Sequence, residues 1–184
     1  MVKKNIIYLT GFMTSGKSTI GPILANVLGW HFYDLDKVLE EKENMSVVEI
    51  FENKGEEYFR RIERETLAEL SENDNIVIAL GGGTTANEAN LQLIKNSGVL
   101  VYLKVSPDVL YKRLKNKIDR PLFKDLVLGE KSEGEFVGRI KELLEKREGK
   151  YMQADLEINT DETRIGITVD KIAKQVKSFL NEKS

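Results

Sequence analysis

Short apolar runs alternate along the chain with longer stretches in which apolar residues recur at helical spacing. Four runs are almost continuously apolar and rich in Ile, Val and Leu: Asn5–Leu9, Ile76–Leu80, Val99–Val105 and Leu156–Ile158. His31–Tyr33 is a weaker fifth run. Continuous rather than alternating hydrophobicity is typical of strands that are buried on both faces. The pattern therefore predicts the strands of a parallel sheet.

The stretches between these runs are predicted to be helices. Apolar residues share one helical face over Ile20–Leu28 and again over Phe59–Leu70. Ser46–Glu49 and Ser132–Glu135 have the spacing of a capping box, and Ser106-Pro107 places proline at a first helical position. Strands that alternate with helices predict an α/β domain with a parallel sheet and right-handed crossovers.

Lys115–Lys131 breaks this alternation, because it mixes charges, glycine and isolated apolar residues without helical or strand periodicity. A stretch of that length in a compact domain is commonly functional. We interpret it as a mobile lid, and an ordinary surface loop is the alternative.

Composition narrows the function classes. The 184 residues, predicted to form one domain, include 41% apolar and 32% charged residues and carry a net charge of -2. That balance does not suit a protein that coats nucleic acid. The absence of cysteine and the single histidine, His31, exclude disulfides, thiolate metal sites and any site that needs two imidazoles. Lys3-Lys4 and the short run after them are too brief for a signal peptide, and no run approaches a membrane span. We therefore expect a cytoplasmic protein.

A phosphate-binding motif follows the first strand. Gly11–Ser18 reads GFMTSGKS and matches G-x-x-x-x-G-K-[ST], with an apolar strand before it and an amphipathic helix after it. The glycines let backbone N–H groups surround phosphate, Lys17 reaches the β- and γ-phosphates, and the Ser18 hydroxyl binds Mg²⁺. The sequence therefore predicts nucleoside triphosphate binding.

Asn116–Asp119 resembles the guanine-binding motif of GTPases, but it follows a predicted helix and the chain has no D-x-x-G.

Two acids and three glycines follow predicted strands. Asp34 and Asp36 lie at the end of the weak second strand, and on an extended segment residues i and i+2 point to the same side. One carboxylate can then support Mg²⁺ while the other accepts the proton of an attacking hydroxyl. A solvated acidic turn is the alternative.

Gly81–Gly83 follows another strand, where its backbone can approach a small polar ligand. A flexible turn would also explain it.

Three arginines are candidates for binding anions. Arg147 continues the apolar stripe of the helix after Ser132 and should face inward, where it needs an anionic partner, either a ligand or a protein carboxylate. Arg60 is one turn from Glu63, although an exposed ion pair would explain that spacing. Arg120 lies in the predicted lid and could stabilise transferring phosphate.

Between Ile6 and about Asp161, several motifs occur in an order that resembles the shikimate kinase family. They are GFMTSGKST at Gly11–Thr19, D-x-D at Asp34–Asp36, FRRIE at Phe59–Glu63, GGG at Gly81–Gly83, RPL at Arg120–Leu122 and the R-x-x-x-Y of Arg147–Tyr151. The resemblance implies a three-layer α/β/α P-loop fold with a five-stranded parallel sheet, like nucleoside monophosphate kinases. It also implies a substrate-binding region at about 34–64, a lid at about 115–131, and a monomer.

The implied reaction is ATP-dependent phosphorylation of the shikimate 3-hydroxyl, on the route to chorismate and aromatic amino acids. The resemblance implies that Asp36 is the base, that Lys17 and Arg120 complete the catalytic set, and that Ser18 and Asp34 support Mg²⁺. The implied ATP-binding residues are Gly11, Thr14, Ser15, Gly16, Lys17, Ser18, Thr19, Arg113 and Arg120, with Arg113 on adenine and an adenine loop near 160–164. The implied shikimate-binding residues are Asp36, Phe51, Phe59, Arg60, Glu63, Gly81, Gly82, Gly83 and Arg147.

The chain departs from the family pattern beside Tyr151, where Gly149-Lys150 replaces the usual Pro-Leu and Gln153 the usual Glu. Two other functions remain open. One is a related kinase that phosphorylates gluconate or a nucleotide, and the other is a nucleotide-binding regulator without turnover.

Overall fold

The computed structural model describes residues 4–116, 121–129, 132–161 and 164–181. Its centre is a five-stranded parallel sheet in the order β2-β3-β1-β4-β5. The strands are β1 Ile6–Thr10, β2 His31–Asp34, β3 Ile76–Ala79, β4 Val99–Lys104 and β5 Leu156–Asn159. Each lies within two residues of an apolar run in the sequence, so the predicted strands are confirmed.

Helices connect these strands and cover both faces of the sheet. They are α1 Lys17–Leu28, α2 Leu35–Glu43, α3 Val47–Ser71, α4 Glu88–Ser97, α5 Pro107–Leu114, α6 Pro121–Leu128, α7 Glu133–Tyr151 and α8 Ile165–Asn181, with a 3₁₀ turn at Thr84–Ala86. Both predicted capping boxes are present, at the starts of α3 and α7, and Pro107 occupies the start of α5.

The sheet is apolar on both faces because each face has its own core. In β1, Ile6 and Tyr8 pack with α2, α3 and α4, whereas Ile7 and Leu9 pack with α1 and α8. All four side chains are fully buried. A third core joins Phe12 to α5, α6 and α7. Among the described residues, no helix combines the length and apolar character that crossing a bilayer would take.

The prediction that Lys115–Lys131 lacks regular structure is wrong for Pro121–Leu128, which is α6. Phe123 is fully buried, and its ring stacks on Phe136 at 5.1 Å and meets Phe12 edge-on at 6.4 Å. Tertiary packing on aromatic rings therefore stabilises a helix too short to show periodicity. Residues 117–120 and 130–131 lie outside the described residues, so Arg120 and the proposed lid stay predictions.

Candidate active site

A cleft of about 640 Å³ lies where β1, β2 and β3 end. Ligands of open parallel sheets bind at this edge, outside the carboxyl ends of the strands. The cleft brings together most of the residues singled out in the sequence: Thr14, Gly16, Lys17, Ser18, Thr19, Asp34, Asp36, Phe51, Phe59, Arg60, Glu63, Gly81, Gly82, Gly83, Arg113 and Arg147. Gly11 and Ser15 are buried in the loop beneath it, and Arg120 is outside the described residues.

The loop between β1 and α1 forms the phosphate side of the cleft. Gly11 has φ 146°, and a side chain there would lie 2.7 Å from the Leu103 carbonyl oxygen. Gly16, at φ 108°, precedes α1, and no side chain caps that helix start. The start of α1 therefore presents the positive end of the helix dipole to an anion without a capping side chain in between.

Side chains of this loop add further donors. The Lys17 ammonium donates to the carbonyl oxygens of Gly11 at 2.8 Å and Phe12 at 3.1 Å, which holds it across the loop. The hydroxyls of Thr14 and Ser15 are buried without a hydrogen-bond partner among the described residues. Buried hydroxyls are normally hydrogen-bonded, so this donor set fits a ligand with many acceptor oxygens, such as a triphosphate.

Asp34 and Asp36 flank the start of α2. The predicted extended geometry is wrong beyond Asp34, because the helix begins at Leu35 and Asp36 lies in its first turn. Leu35 and Leu39 are fully buried and attach this helix to the core. An acidic residue in the first turn is also favoured by the helix dipole.

Ser18 and Asp34 are suited to a magnesium ion. The Ser18 hydroxyl donates to the Asp34 carboxylate at 2.9 Å. The described residues contain no cluster of three or more His, Cys, Asp or Glu that could hold a metal. Magnesium in kinase sites needs only one or two carboxylates, because phosphate oxygens and water complete its shell. One carboxylate beside a hydroxyl at the phosphate loop fits that requirement.

Asp36 has an altered acidity. Burial, followed by the negative charges of Asp34 and Glu63, raises its pKa from 3.8 to about 6, although Lys17 acts in the opposite direction. A carboxylate with a pKa nearer to neutrality is a stronger base than an ordinary aspartate.

Arg60 and Glu63 form the predicted ion pair at 3.0 Å, but it is not the exposed pair that the spacing also allowed. The Glu63 side chain is 1% exposed and the Arg60 side chain 35%. Arg60 also lies 3.4 Å from Glu56. A buried carboxylate beneath a half-exposed guanidinium fixes the direction in which that guanidinium faces the cleft.

Arg147 faces inward from α7, as its place on the apolar stripe predicts. Its guanidinium lies beside the hydroxyl of Tyr151, one helical turn further along, and that hydroxyl donates to the Gly82 carbonyl oxygen at 3.2 Å. No ion pair joins Arg147 to a carboxylate within the described part of the chain. A guanidinium that faces the cleft without a carboxylate partner is suited to bind an anionic ligand.

The glycine run passes close to three polar side chains of the site. A Cβ atom would lie 2.8 Å from the Asp36 carboxylate at Gly81, 3.2 Å from the Arg147 guanidinium at Gly82, and 3.0 Å from that of Arg60 at Gly83. Each glycine therefore leaves room for a side chain that faces the cleft. This close approach supports the functional interpretation of the run over a merely flexible turn.

Two aromatic rings form an apolar wall beside these charges. The rings of Phe51 and Phe59 lie 4.5 Å apart, at 31° to each other. Both belong to α3, which is kinked between them at Gly55, where φ is 82°. The kink brings the two parts of α3 to the same side of the cleft.

Arg113 connects the phosphate loop to the segment after β5. It donates to the carbonyl oxygens of Thr14 at 3.0 Å and Thr160 at 3.2 Å. Thr160 belongs to the region in which the sequence predicts the adenine loop, of which residues 162–163 lie outside the described residues. The planar guanidinium is thus held at the phosphate-loop end of the cleft.

Sequence reasoning assigned no site role to several residues found here, although Met13 and Tyr151 lie within motifs it singled out. Met13, Val47 and Leu80 line the cleft, and Thr84 and Tyr151 support it from behind. Val47 follows a capping serine and Leu80 precedes the glycine run, so their positions beside these features could have marked them as site residues. No local pattern marks Thr84 as a partner of Glu63, which is 21 residues away.

Comparisons with known proteins agree with this geometry. A family model described as shikimate kinase matches residues 13–181. A shikimate kinase of Chloroherpeton thalassium is 46% identical over 181 residues, covering 98% of this chain and 96% of the relative. A solved shikimate kinase from Bacteroides thetaiotaomicron is 36% identical with a TM-score of 0.82, covering 94% and 98% of the two chains.

A second solved structure, the shikimate kinase from Acinetobacter baumannii in complex with shikimate, is 31% identical with a TM-score of 0.83, and the match covers 97% of this chain and 96% of that one. These neighbours share the P-loop, nucleoside monophosphate kinase-like architecture, which confirms the predicted fold class.

Proposed function

The chain belongs to the shikimate kinase family, and from that premise we propose that its cleft transfers the γ-phosphoryl group of ATP to the 3-hydroxyl of shikimate, releasing ADP. The reaction is a step on the route to chorismate and aromatic amino acids. One observation carries the proposal: Lys17 of the phosphate loop, Asp36 and Arg147 face the same cleft. A phosphate donor and an anionic alcohol can therefore meet there.

Asp36 is the group that accepts the proton of the attacking hydroxyl. The oxygen of the alcohol forms a bond to the γ-phosphorus while the bond to the ADP oxygen breaks, and the hydroxyl proton passes to the Asp36 carboxylate. Its pKa of about 6 leaves it largely ionised at pH 7 but more basic than an ordinary aspartate. Lys17 supplies positive charge at the β- and γ-phosphates, where negative charge accumulates.

Arg60 and Arg147 hold the carboxylate of shikimate. Their guanidinium groups flank the glycine run, within 3.2 Å of where side chains at Gly82 and Gly83 would begin. Phe51 and Phe59 contact the apolar side of the ring, and Glu63 orients Arg60 through their ion pair. The charged and apolar groups of the acceptor thus have separate partners, which fixes the direction of the 3-hydroxyl.

Ser18 and Asp34 would hold Mg²⁺, since the hydroxyl and the carboxylate already lie within 2.9 Å of each other. When bound, the ion neutralises charge on the triphosphate oxygens. Arg113 supports the nucleotide end of the cleft through Thr14 and Thr160. Arg120 is proposed to complete the charge around the phosphates. We expect a cytoplasmic protein, because ATP is its co-substrate, and a monomer, as the family resemblance implies.

The alternative of a gluconate or nucleotide kinase is not favoured, because the matching family model and two relatives that are 46% identical to this chain are shikimate kinases. The test is a coupled assay of ADP release with ATP, Mg²⁺ and one acceptor at a time. We expect turnover with shikimate and none above background with gluconate or nucleoside monophosphates. ATP binding without turnover on any acceptor would instead identify a nucleotide-binding regulator.

A further inference from the structure

A buried threonine lies directly behind the glycine run. Thr84 is fully buried, follows Gly83, and is not part of the cleft wall. Its hydroxyl donates to the Glu63 carboxylate at 2.7 Å. We propose that Thr84 is a positioning residue of the acceptor site, which acts through Glu63 to hold Arg60 in the direction that binds the acceptor's carboxylate. This inference rests on the proposed function.

The two oxygens of Glu63 have different partners. Oε2 accepts from Arg60 at 3.0 Å, and Oε1 accepts from Thr84 at 2.7 Å. No second donor to Oε1 occurs among the residues that the structure describes. A carboxylate that is 1% exposed is costly to bury unless its oxygens are hydrogen-bonded. The Thr84 hydroxyl is therefore the group that satisfies this oxygen and keeps the carboxylate from turning.

Thr84 also connects the glycine run to α3. Its backbone N–H donates to the Gly81 carbonyl oxygen at 3.2 Å, which closes the run into a turn. Its own carbonyl oxygen accepts from the buried Asn90 amide at 3.2 Å. The backbone of Thr84 is thus fixed on the loop side, while its hydroxyl is fixed to Glu63. The hydroxyl sets the distance between the glycine backbone and Arg60, two groups that face the acceptor.

Loss of the hydroxyl alone should redirect Arg60. Without a donor on Oε1, the Glu63 carboxylate gains by presenting both oxygens to the Arg60 guanidinium, whose planar fork accommodates a bidentate partner. The N–H groups of Arg60 would then be used within α3 rather than on the acceptor. The nucleotide side, which shares no hydrogen bond with Thr84 in the described residues, should not respond.

The test compares four variants by steady-state kinetics, with shikimate and ATP varied separately. Thr84→Val keeps the shape of the side chain but lacks the hydroxyl. Thr84→Ala lacks the hydroxyl and is smaller, whereas Thr84→Ser retains the hydroxyl. Thr85→Val is the matched control, because Thr85 is the adjacent residue and is also buried, at 1% exposure. We expect Thr84→Val to raise the KM for shikimate about tenfold, the effect of leaving a buried acceptor without its donor. The KM for ATP should not change.

Thr84→Ser should restore the KM for shikimate to within about twofold of the unmodified protein, and Thr85→Val should leave both KM values unchanged. In a Glu63→Gln background, Thr84→Val should have a much smaller effect, because the two residues act as a unit. Thr84→Ala replaces Thr84→Val if the latter does not fold.

Equal changes in the two KM values, or equal effects of Thr84→Val and Thr85→Val, would overturn the inference. So would a Thr84→Ser variant as impaired as Thr84→Val. Failure of the proposed function has a different signature, since the unmodified protein would then show no turnover with shikimate.

Discussion

The two sides of the cleft are built in different ways. The phosphate side comes from one continuous stretch, Gly11–Thr19, and its groups are backbone N–H donors, Lys17 and small hydroxyls. The acceptor side combines Asp36 of α2, Arg60 of α3, the glycine run after β3 and Arg147 of α7. Its two arginines are supported by Glu63 and Tyr151, which are bonded in turn to Thr84 and to the Gly82 carbonyl oxygen, so their directions depend on segments distant in the chain.

This difference indicates which substitutions should disturb each side of the cleft. The geometry of the phosphate loop is set by positive φ values at its glycines and by the start of α1. Both are local properties of the chain. On the acceptor side, Arg60 is paired with Glu63 and Arg147 lies beside Tyr151, so we expect a change behind the surface to alter acceptor binding. Substitutions on the two sides should therefore affect different kinetic constants.

The largest effect is expected for Lys17→Ala, which removes the ammonium that we propose faces the triphosphate. We expect kcat to fall by about a thousandfold, the upper range for one electrostatic group at a transition state. Calorimetric binding of shikimate in the absence of nucleotide should fall much less than kcat, because the ammonium donates to carbonyl oxygens of its own loop and acts on Asp36 as a charge. A large loss of shikimate binding would show that the two sides are not separable.

Asp36→Asn should lower kcat at least about a hundredfold, because the amide cannot accept the proton. In the unmodified protein, kcat/KM should fall as the pH drops through about 6, where Asp36 becomes protonated. Near-normal turnover of the variant would leave Asp36 with a positioning role only.

The raised pKa of Asp36 gives a second readout of the same variant. A folded-state pKa above the unfolded value contributes stability below the unfolded pKa, and this contribution is lost as pH rises through about 6. The ionised Asp36 therefore destabilises the fold at pH 7, and Asp36→Asn should raise the free energy of unfolding there by about 2 kcal/mol. Denaturant unfolding at pH 7 and pH 4 measures this, with the difference from the unmodified protein shrinking at the lower pH.

Arg147→Lys should raise the KM for shikimate by about ten- to a hundredfold, since a point charge does not replace a planar fork on a carboxylate. The KM for ATP should change by less than about twofold. Equal increases in both constants would mean that Arg147 serves the nucleotide as much as the acceptor.

The smallest effect is expected for Gly82→Ala, whose Cβ atom would lie 3.2 Å from the Arg147 guanidinium. The guanidinium is the far end of a flexible side chain, so it can shift by a few tenths of an ångström, and we expect a KM for shikimate raised about threefold. Gly138→Ala on α7 is the control, because nothing lies within 4 Å of its Cβ position. It should leave both KM values unchanged and stabilise the helix by about 0.5–1 kcal/mol.

Much of the fold follows from the sequence because its signals are local. Strands buried on both faces must be continuously apolar, so β1, β3 and β4 are visible within one or two residues of their bounds. Capping boxes and a proline mark the starts of α3, α7 and α5 for the same reason. By contrast, α6 depends on Phe123 packing against rings from two other segments, which no local period encodes.

The sequence by itself determined the phosphate loop, the alternation of strands and helices, and the residue types available to an acceptor. Only the tertiary structure decided that a helix starts at Leu35, that burial and two neighbouring carboxylates raise the pKa of Asp36, and that Thr84 meets Glu63. The physical reason is that backbone geometry depends on neighbours in the chain. Burial, charge coupling and side-chain direction depend instead on segments that meet only when the sheet and its helices have assembled.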